Sequence, residues 1–274
     1  MVSSQSPRVA FIGGGNMASA LIGGLVQSGH APSAIQVVEP FAAQADKLRA
    51  QFGVQVEPSA GPTLAGASLV VWAVKPQLFR QAAKPVAAHV PAALQLSVMA
   101  GIRSGAIAAA TGSNRIVRTM PNTPALIGRG MSGLFASEAV TADERGLVEQ
   151  LLAPTGELLW VEREELLDAV TALSGSGPAY VFYFVEAMMK AGAELGLSPE
   201  QARRLAVGTF AGAAALAAQS DEPPAQLRAN VTSKGGTTHA AITTLDERGV
   251  MDAFVQALHA AARRAKELGD EFGG

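Results

Sequence analysis

The feature that most constrains this chain is a short apolar run, Val9-Ala10-Phe11-Ile12, that passes directly into Gly13-Gly14-Gly15-Asn16-Met17-Ala18. A buried strand followed by G-x-G-x-x-A and then by a helical stretch leaves few alternatives. Gly13 permits the tight turn, Gly15 lets a backbone approach a pyrophosphate, and Ala18 keeps the new helix close to the sheet. The unpaired N–H groups at the helix start can then bind the anion. A glycine-rich turn alone can be only a turn. Between a first strand and a first helix it reads as a dinucleotide site.

The rest of the first 160 residues repeats the alternation that this turn begins. Further β-branched runs at 35–38, 69–74, 94–99 and 115–120 read as buried strands, and 17–28, 41–52, 79–89 and 104–110 as the helices between them. Strands separated by helices predict a parallel, doubly wound sheet. Segments 131–136 and 158–160 add strands at an edge, flanking a helix at Ala142–Leu152. From residue 164 the pattern changes to helices alone, at 164–173, 178–196, 199–219, 223–230, 238–246 and 250–268, several opened by Pro or by Ser and Asp caps. The spacing of Val181, Phe182, Phe184, Val185, Met188 and Met189 predicts a mostly buried helix. The Ala- and Gly-rich stretch 206–218 predicts a helix enclosed by others. The expected fold is α/β: an N-terminal Rossmann-type domain, 1–163, followed by an all-α domain, 164–274, that dimerises.

Composition narrows the function classes. Hydrophobic residues are 49% and charged residues 16% of 274, which predicts either a large core or apolar surface hidden between subunits. The net charge is −2, and the densest cations, Arg263, Arg264 and Lys266, alternate with acids as on a solvated helix face, so no nucleic-acid partner is expected. With no cysteine, disulfides, zinc–thiolate centres, iron–sulfur clusters and thiol nucleophiles are excluded. His30, His89, His239 and His259 are scattered without metal-ligand spacing, and no metal is expected. Residues 1–8 show no signal pattern, and no apolar run approaches the ~20 residues of a membrane span, so a cytoplasmic location is expected.

Other strand ends carry further candidates, since ligands of parallel sheets bind at the carboxyl ends. Glu39 closes the second strand, near where an acid receives a ribose 2′-hydroxyl and repels a 2′-phosphate; it is equally an exposed acid at a strand end. Lys75 follows the strand ending at Val74, either meeting an anion or lying free on the surface. Asn122 and Thr123, between Pro121 and Pro124, either position a nicotinamide carboxamide or form a rigid turn. In the helical half, Leu173-Ser174-Gly175-Ser176-Gly177-Pro178 reads as a donor-rich loop opening a helix. Asn230-Val231-Thr232-Ser233-Lys234-Gly235-Gly236-Thr237-Thr238 packs hydroxyls, glycines and a helix start into nine residues. It holds no strong base. It suits a carboxylate bound by N–H and hydroxyl groups, or an elaborate helix cap.

Taken in order, FIGGGNMASAL, AVKPQ, RTMPNTP, ALSGSGPAYVF and NVTSKGGTTHAAI resemble pyrroline-5-carboxylate reductases across the whole chain. The resemblance implies reduction of 1-pyrroline-5-carboxylate to L-proline by NADPH or NADH, the last step of proline biosynthesis. It also implies an active site at a subunit interface and a homodimer through the helical domain, which in the family often assembles further. Carried over by position, Gly13, Gly14, Gly15, Asn16, Met17 and Ala18 would hold the pyrophosphate. Glu39 would bear on the ribose, Ala73, Val74, Lys75 and Pro76 would border the cofactor, and Asn122 would lie near the nicotinamide. Val231, Ser233, Gly235, Gly236, Thr237 and Thr238 would form the substrate loop, with Thr238 the catalytic hydroxyl nearest the ring nitrogen. The proton for that nitrogen would come from solvent or through Thr238.

The chain also departs from the family. Lys234 replaces a common proline, and Glu39-Pro40 replaces hydroxyl or basic residues, which opens the family's NADPH preference to NADH. Asp221, where some members carry a catalysis-linked acid, is also a possible helix cap. Two other readings remain: a different two-domain dehydrogenase with a catalytic lysine, and a dinucleotide-binding sensor. The first would draw on Lys190, about 16 Å along its helix from the Ser/Gly run. The second has no use for two donor-rich loops.

Overall fold

The computed structural model describes residues 7–272. Residues 1–6, part of the stretch read as lacking a signal pattern, lie outside them. Each predicted strand appears: β1 (Val9–Ile12), β2 (Ile35–Val38), β4 (Leu69–Trp72), β5 (Leu94–Ser97), β6 (Ile116–Met120), β7 (Gly130–Ala136) and β8 (Gly156–Trp160). A further strand, β3 (Gln55–Glu57), was not foreseen, because three residues around a single buried Val56 give no period to read. The sheet order is β3-β2-β1-β4-β5-β6-β7-β8. Strands β1 to β6 run parallel, β7 pairs antiparallel with β6, and β8 pairs parallel with β7. The order reverses beside β1, so the crevice of a doubly wound sheet opens at the end of β1.

Strands β1, β4 and β5 are buried at every residue, as expected when helices cover both faces. Alternate side chains feed two cores. Val9, Phe11, Val37, Val71 and Leu96 pack with Leu21 and Ile22 of α1 (Asn16–Gln27) and Leu48 of α2 (Ala42–Phe52). Ala10, Ile12, Val70 and Trp72 pack with Phe79 and Val86 of α3 (Phe79–Ala87) and Ile107 of α4 (Ser104–Thr111). The Trp72 indole N–H, fully buried, donates to Gln95 Oε1 at 2.8 Å and is thereby satisfied. Helix α5 (Ala142–Leu152) starts on a reciprocal cap between Thr141 and Glu144.

A polar cluster joins β6 and α4 to the chain before α6 (Leu166–Val170). Glu164 accepts from the Ser104 N–H at 2.6 Å, the Ser104 hydroxyl at 2.7 Å and Arg118 Nη1 at 2.8 Å. It thus caps a helix whose own N-cap residue, Arg103, supplies no side-chain bond. Burial pushes the Glu164 carboxyl up, but the hydrogen bonds from Ser104 and Arg118 outweigh it and hold the group below the ordinary glutamate value. Burial depresses the Arg118 guanidinium against the opposing pull of Glu164. Arg103 pairs with Asp168 at 3.0 Å.

The helices after residue 170 differ from expectation at their start. The Ser/Gly run is no open loop: α6 continues through a π-helical turn, Thr171–Gly175, into α7 (Gly177–Glu194). The Ser176 N–H donates to Thr171 O at 2.8 Å, so its donors are partly taken up within the helix. Then follow α8 (Pro199–Ala218), α9 (Pro224–Asn230), α10 (Thr237–Glu247) and α11 (Val250–Phe272). The chain forms two compact units. One runs to Ser176 and resumes at Ala261; the other is Gly177–Ala260.

Within the second unit, Gly192 of α7 meets Ala202 of α8, and Phe254 lies edge-on to Tyr180 and Phe184. The expectation that α7 and α8 are enclosed fails for the single chain. Phe182 is 60%, Tyr183 70% and Leu216 59% exposed, and in α8 only Ala202 and Ala206 are buried. The apolar periodicity is present, but much of that surface is exposed among the described residues.

Candidate active site

The cofactor candidates converge at the end of β1. Gly13 has φ +96°, and a Cβ there would lie 2.7 Å from Ala73 O, so no other residue fits between β2 and β4. Its N–H donates to Val38 O at 2.9 Å. Gly15 is the N-cap of α1, without a side-chain cap bond, and a Cβ there would meet only open space. Ala18 is fully buried and sets the helix against the sheet. A cavity of about 710 Å³ opens over this turn. It is lined by Gly13, Gly14, Gly15, Glu39, Ala73, Val74 and Lys75, which had been singled out, and by Phe41, Gln44, Pro58, Ser59 and Leu78, which had not. Pro58 and Ser59 follow the unforeseen β3, and Phe41 stands 70% exposed at the rim. Asn16, Met17, Ala18, Pro76 and Asn122 are not among the lining residues.

Glu39 is not the exposed acid that its place at a strand end allowed. It is 6% exposed, with Oε2 accepting from the Gly14 N–H at 2.8 Å and Oε1 from the Phe41 N–H at 2.9 Å. Lys75 is exposed and begins a 3-10 turn over Pro76-Gln77-Leu78. Asn122 is 9% exposed and bridges two segments. Its Nδ2 donates to Ser174 O and its Oδ1 accepts from the Met131 N–H, both at 3.0 Å. Each end of that amide therefore already has a protein partner. These bonds fix the turn between the two prolines and leave one Nδ2 proton and one Oδ1 lone pair unused.

The second cluster surrounds the start of α10. Gly236 is the N-cap, with no side-chain cap bond and no acid in the first turn. Ala240 N–H makes a bond to Gly236 O, so the N–H groups of Thr237, Thr238 and His239 precede the helical ladder. Ser233, Thr237 and Thr238 place hydroxyls here that have no hydrogen bond among the described residues. A Cβ on Gly236 would lie 2.6 Å from Ser233 Oγ and 3.1 Å from Ser233 O, so a side chain there would displace the Ser233 hydroxyl. Gly235 turns the chain at φ +76°, and Val231 and Lys234 are exposed. A free helix N-terminus with hydroxyls beside it and no competing acid attracts an anion. Asp221 caps nothing, since α9 is preceded by Pro223. The acid tied to this loop is Glu222, which accepts from Asn230 Nδ2 at 2.8 Å. Lys190 and His239 are exposed.

Among the described residues no helix is long and apolar enough to cross a membrane, and no cluster of three metal-ligating side chains occurs.

Known proteins resemble this chain over nearly its full length. The family described as pyrroline-5-carboxylate reductase dimerisation matches residues 164–268, and that described as NADP oxidoreductase coenzyme F420-dependent matches 8–101. A pyrroline-5-carboxylate reductase of Pseudomonas aeruginosa is 44% identical over 271 residues, covering 98% of this chain and 99% of the relative. One from Synechocystis is 37% identical over 266 residues, covering 97% and 99%. The solved pyrroline-5-carboxylate reductase of Coxiella burnetii superposes with a TM-score of 0.89 at 37% identity, covering 96% and 98%. The Plasmodium falciparum pyrroline carboxylate reductase, solved with NADP bound, gives 0.87 at 27% identity, covering 97% and 99%.

Proposed function

We propose roles for individual residues in a chain that belongs to the pyrroline-5-carboxylate reductases and reduces 1-pyrroline-5-carboxylate to L-proline with a nicotinamide cofactor. The observation that carries the proposal is the pairing of a glycine-turn cavity with an uncapped, hydroxyl-rich helix start elsewhere in the chain.

The residues at the cavity fit a dinucleotide. Gly13, Gly14 and Gly15 with Asn16, Met17 and Ala18 form the pyrophosphate turn and its helix. Ala73, Val74, Lys75 and Pro76 form the β4 side of the site. Asn122 braces that end of the sheet from behind. When bound, the reduced nicotinamide supplies the hydride. No nucleophile is required of the protein.

The N–H groups at the start of α10, with Ser233 and Thr237, hold the substrate carboxylate. Val231, Gly235 and Gly236 shape the loop. Thr238 donates its hydroxyl hydrogen bond to the ring nitrogen, which takes a proton from solvent, directly or relayed through that hydroxyl, as the C=N carbon takes the hydride. Lys234 adds attraction for the anion. Residues 164–274 act as the substrate-binding and dimerising part. The exposed apolar faces of α7 and α8 support a homodimer that covers them, and further assembly of such dimers fits the family. The same reading puts the enzyme in the cytoplasm, where reduced nicotinamide nucleotides are made and used.

For the choice of cofactor, the Glu39 carboxylate is the deciding group. Two backbone amides hold it at the cavity wall, where a ribose hydroxyl is accepted and a 2′-phosphate repelled. Lys75, the one cation of the lining among the described residues, lies at the end of β4, across β1 from Glu39. NADH is therefore expected to serve at least as well as NADPH. Steady-state assays of 1-pyrroline-5-carboxylate with each cofactor test both levels. Activity with neither overturns the whole reading, and a kcat/KM about tenfold higher with NADPH overturns the role of Glu39.

A further inference from the structure

Gln44 lines the cofactor cavity from α2, yet it belongs neither to the glycine motif nor to a strand end. Its Nε2 donates to the Gly14 carbonyl and lies 3.3 Å from the Ser19 hydroxyl, which itself reaches Gly14 O at 3.4 Å. On the other side, the Gly14 N–H is taken by Glu39. Both backbone polar groups of the middle glycine are thus held by side chains from outside the turn.

This grip has a directional consequence. The Gly14–Gly15 peptide is planar and trans, so its C=O and N–H point in opposite directions. Flanked by two residues without Cβ, it is sterically little restrained by its own side chains. Holding the Gly14 oxygen on Gln44 sets where the Gly15 N–H points, and Gly15 is exposed with open space around it. A peptide turned over would offer a pyrophosphate a carbonyl oxygen instead of an N–H, replacing attraction by repulsion.

We propose that Gln44 is a positioning residue: by holding the Gly14 carbonyl, it keeps the Gly15 N–H presented to the cofactor's pyrophosphate. This rests on the reading that the cavity takes the cofactor. The test uses the full chain as wild type, Gln44→Met (similar length, no N–H) and Ser19→Ala. Each is titrated with NADH, ADP-ribose and adenosine and assayed at steady state.

Gln44→Met is expected to weaken NADH and ADP-ribose alike by about five- to tenfold, the share of one hydrogen bond. The cofactor KM should rise by the same factor, with kcat at saturating cofactor, the KM for the imine and adenosine binding unchanged. Ser19→Ala should shift the same quantities by about two- to threefold, and it carries the test if Gln44→Met does not fold. Wild-type cofactor KM in both variants would overturn the proposal. So would a fall in kcat at unchanged cofactor KM, or an equal loss of adenosine binding, which would mean direct contact with the nucleoside. If ADP-ribose fails to compete with NADH in the wild type, the cavity assignment falls and the proposal with it. If it competes and the variants bind normally, only the role of Gln44 falls.

Discussion

Replacing Glu164 by Ala withdraws one acceptor from three donors at once: the Ser104 N–H, the Ser104 hydroxyl and Arg118 Nη1. The Arg118 side chain is 7% exposed and that of Glu164 15%, so the charge left behind is poorly hydrated. Breaking a buried pair by removing one partner typically costs about 3–5 kcal/mol. Water can enter the partly open side that Glu164 vacates, so the lower end applies, about 3 kcal/mol. For a chain of this size each kcal/mol moves Tm by roughly 2–4 °C, which predicts a fall of about 6–12 °C.

The assay is thermal unfolding at fixed protein concentration, because association also shifts Tm. The double variant Glu164→Leu with Arg118→Met removes both charges and should recover most of the loss. The pH dependence has a definite sign. The folded carboxyl titrates below its ordinary value of 4.5, so its stabilisation is complete above that value and is lost as pH falls through the folded pKa. The gap between wild type and Glu164→Ala should therefore be full at pH 7 and close below about pH 4.5. A Tm change under about 2 °C at pH 7, or a double variant as unstable as the single one, would refute the reasoning.

Two further outcomes are expected. Thr238→Ala should lower kcat on the imine by about tenfold or more while cofactor affinity stays within twofold, and unchanged turnover would remove Thr238 from its assigned role. Phe182→Glu, at a side chain 60% exposed in the single chain, should shift the protein toward monomer in light scattering; an unchanged mass would show that this face of α7 is not the interface.

Much of the site was legible because its signals are local. The turn from β1 to α1 needs only consecutive residues, and so does the run of hydroxyls and glycines before α10, whereas that this helix start carries no side-chain cap emerged only in the structure. Asn122 was legible as a position but not as a role, because whether its amide is free depends on Met131 and on Ser174 O, 52 residues away. Asp221 reads in the sequence as a possible helix cap, yet the N-cap of α9 is Pro223, without a side-chain cap bond. It is Glu222 that accepts from Asn230, which only the path of the chain before Pro223 decides.

The sequence by itself determined the layered α/β start, the helical second half, the dinucleotide turn and the hydroxyl loop. All of these rest on periodicity, caps and turns a few residues long. The tertiary structure alone decided what side chains far apart in sequence do to one another. Glu39 is drawn inward onto Gly14, Gln44 takes the carbonyl of the same residue, and Glu164 caps a helix that begins 60 residues earlier. The apolar pattern of α7 said that its face is covered, and only the fold showed Phe182 and Tyr183 exposed among the described residues. A pattern records that a side chain must leave water; the packing determines which surface removes it.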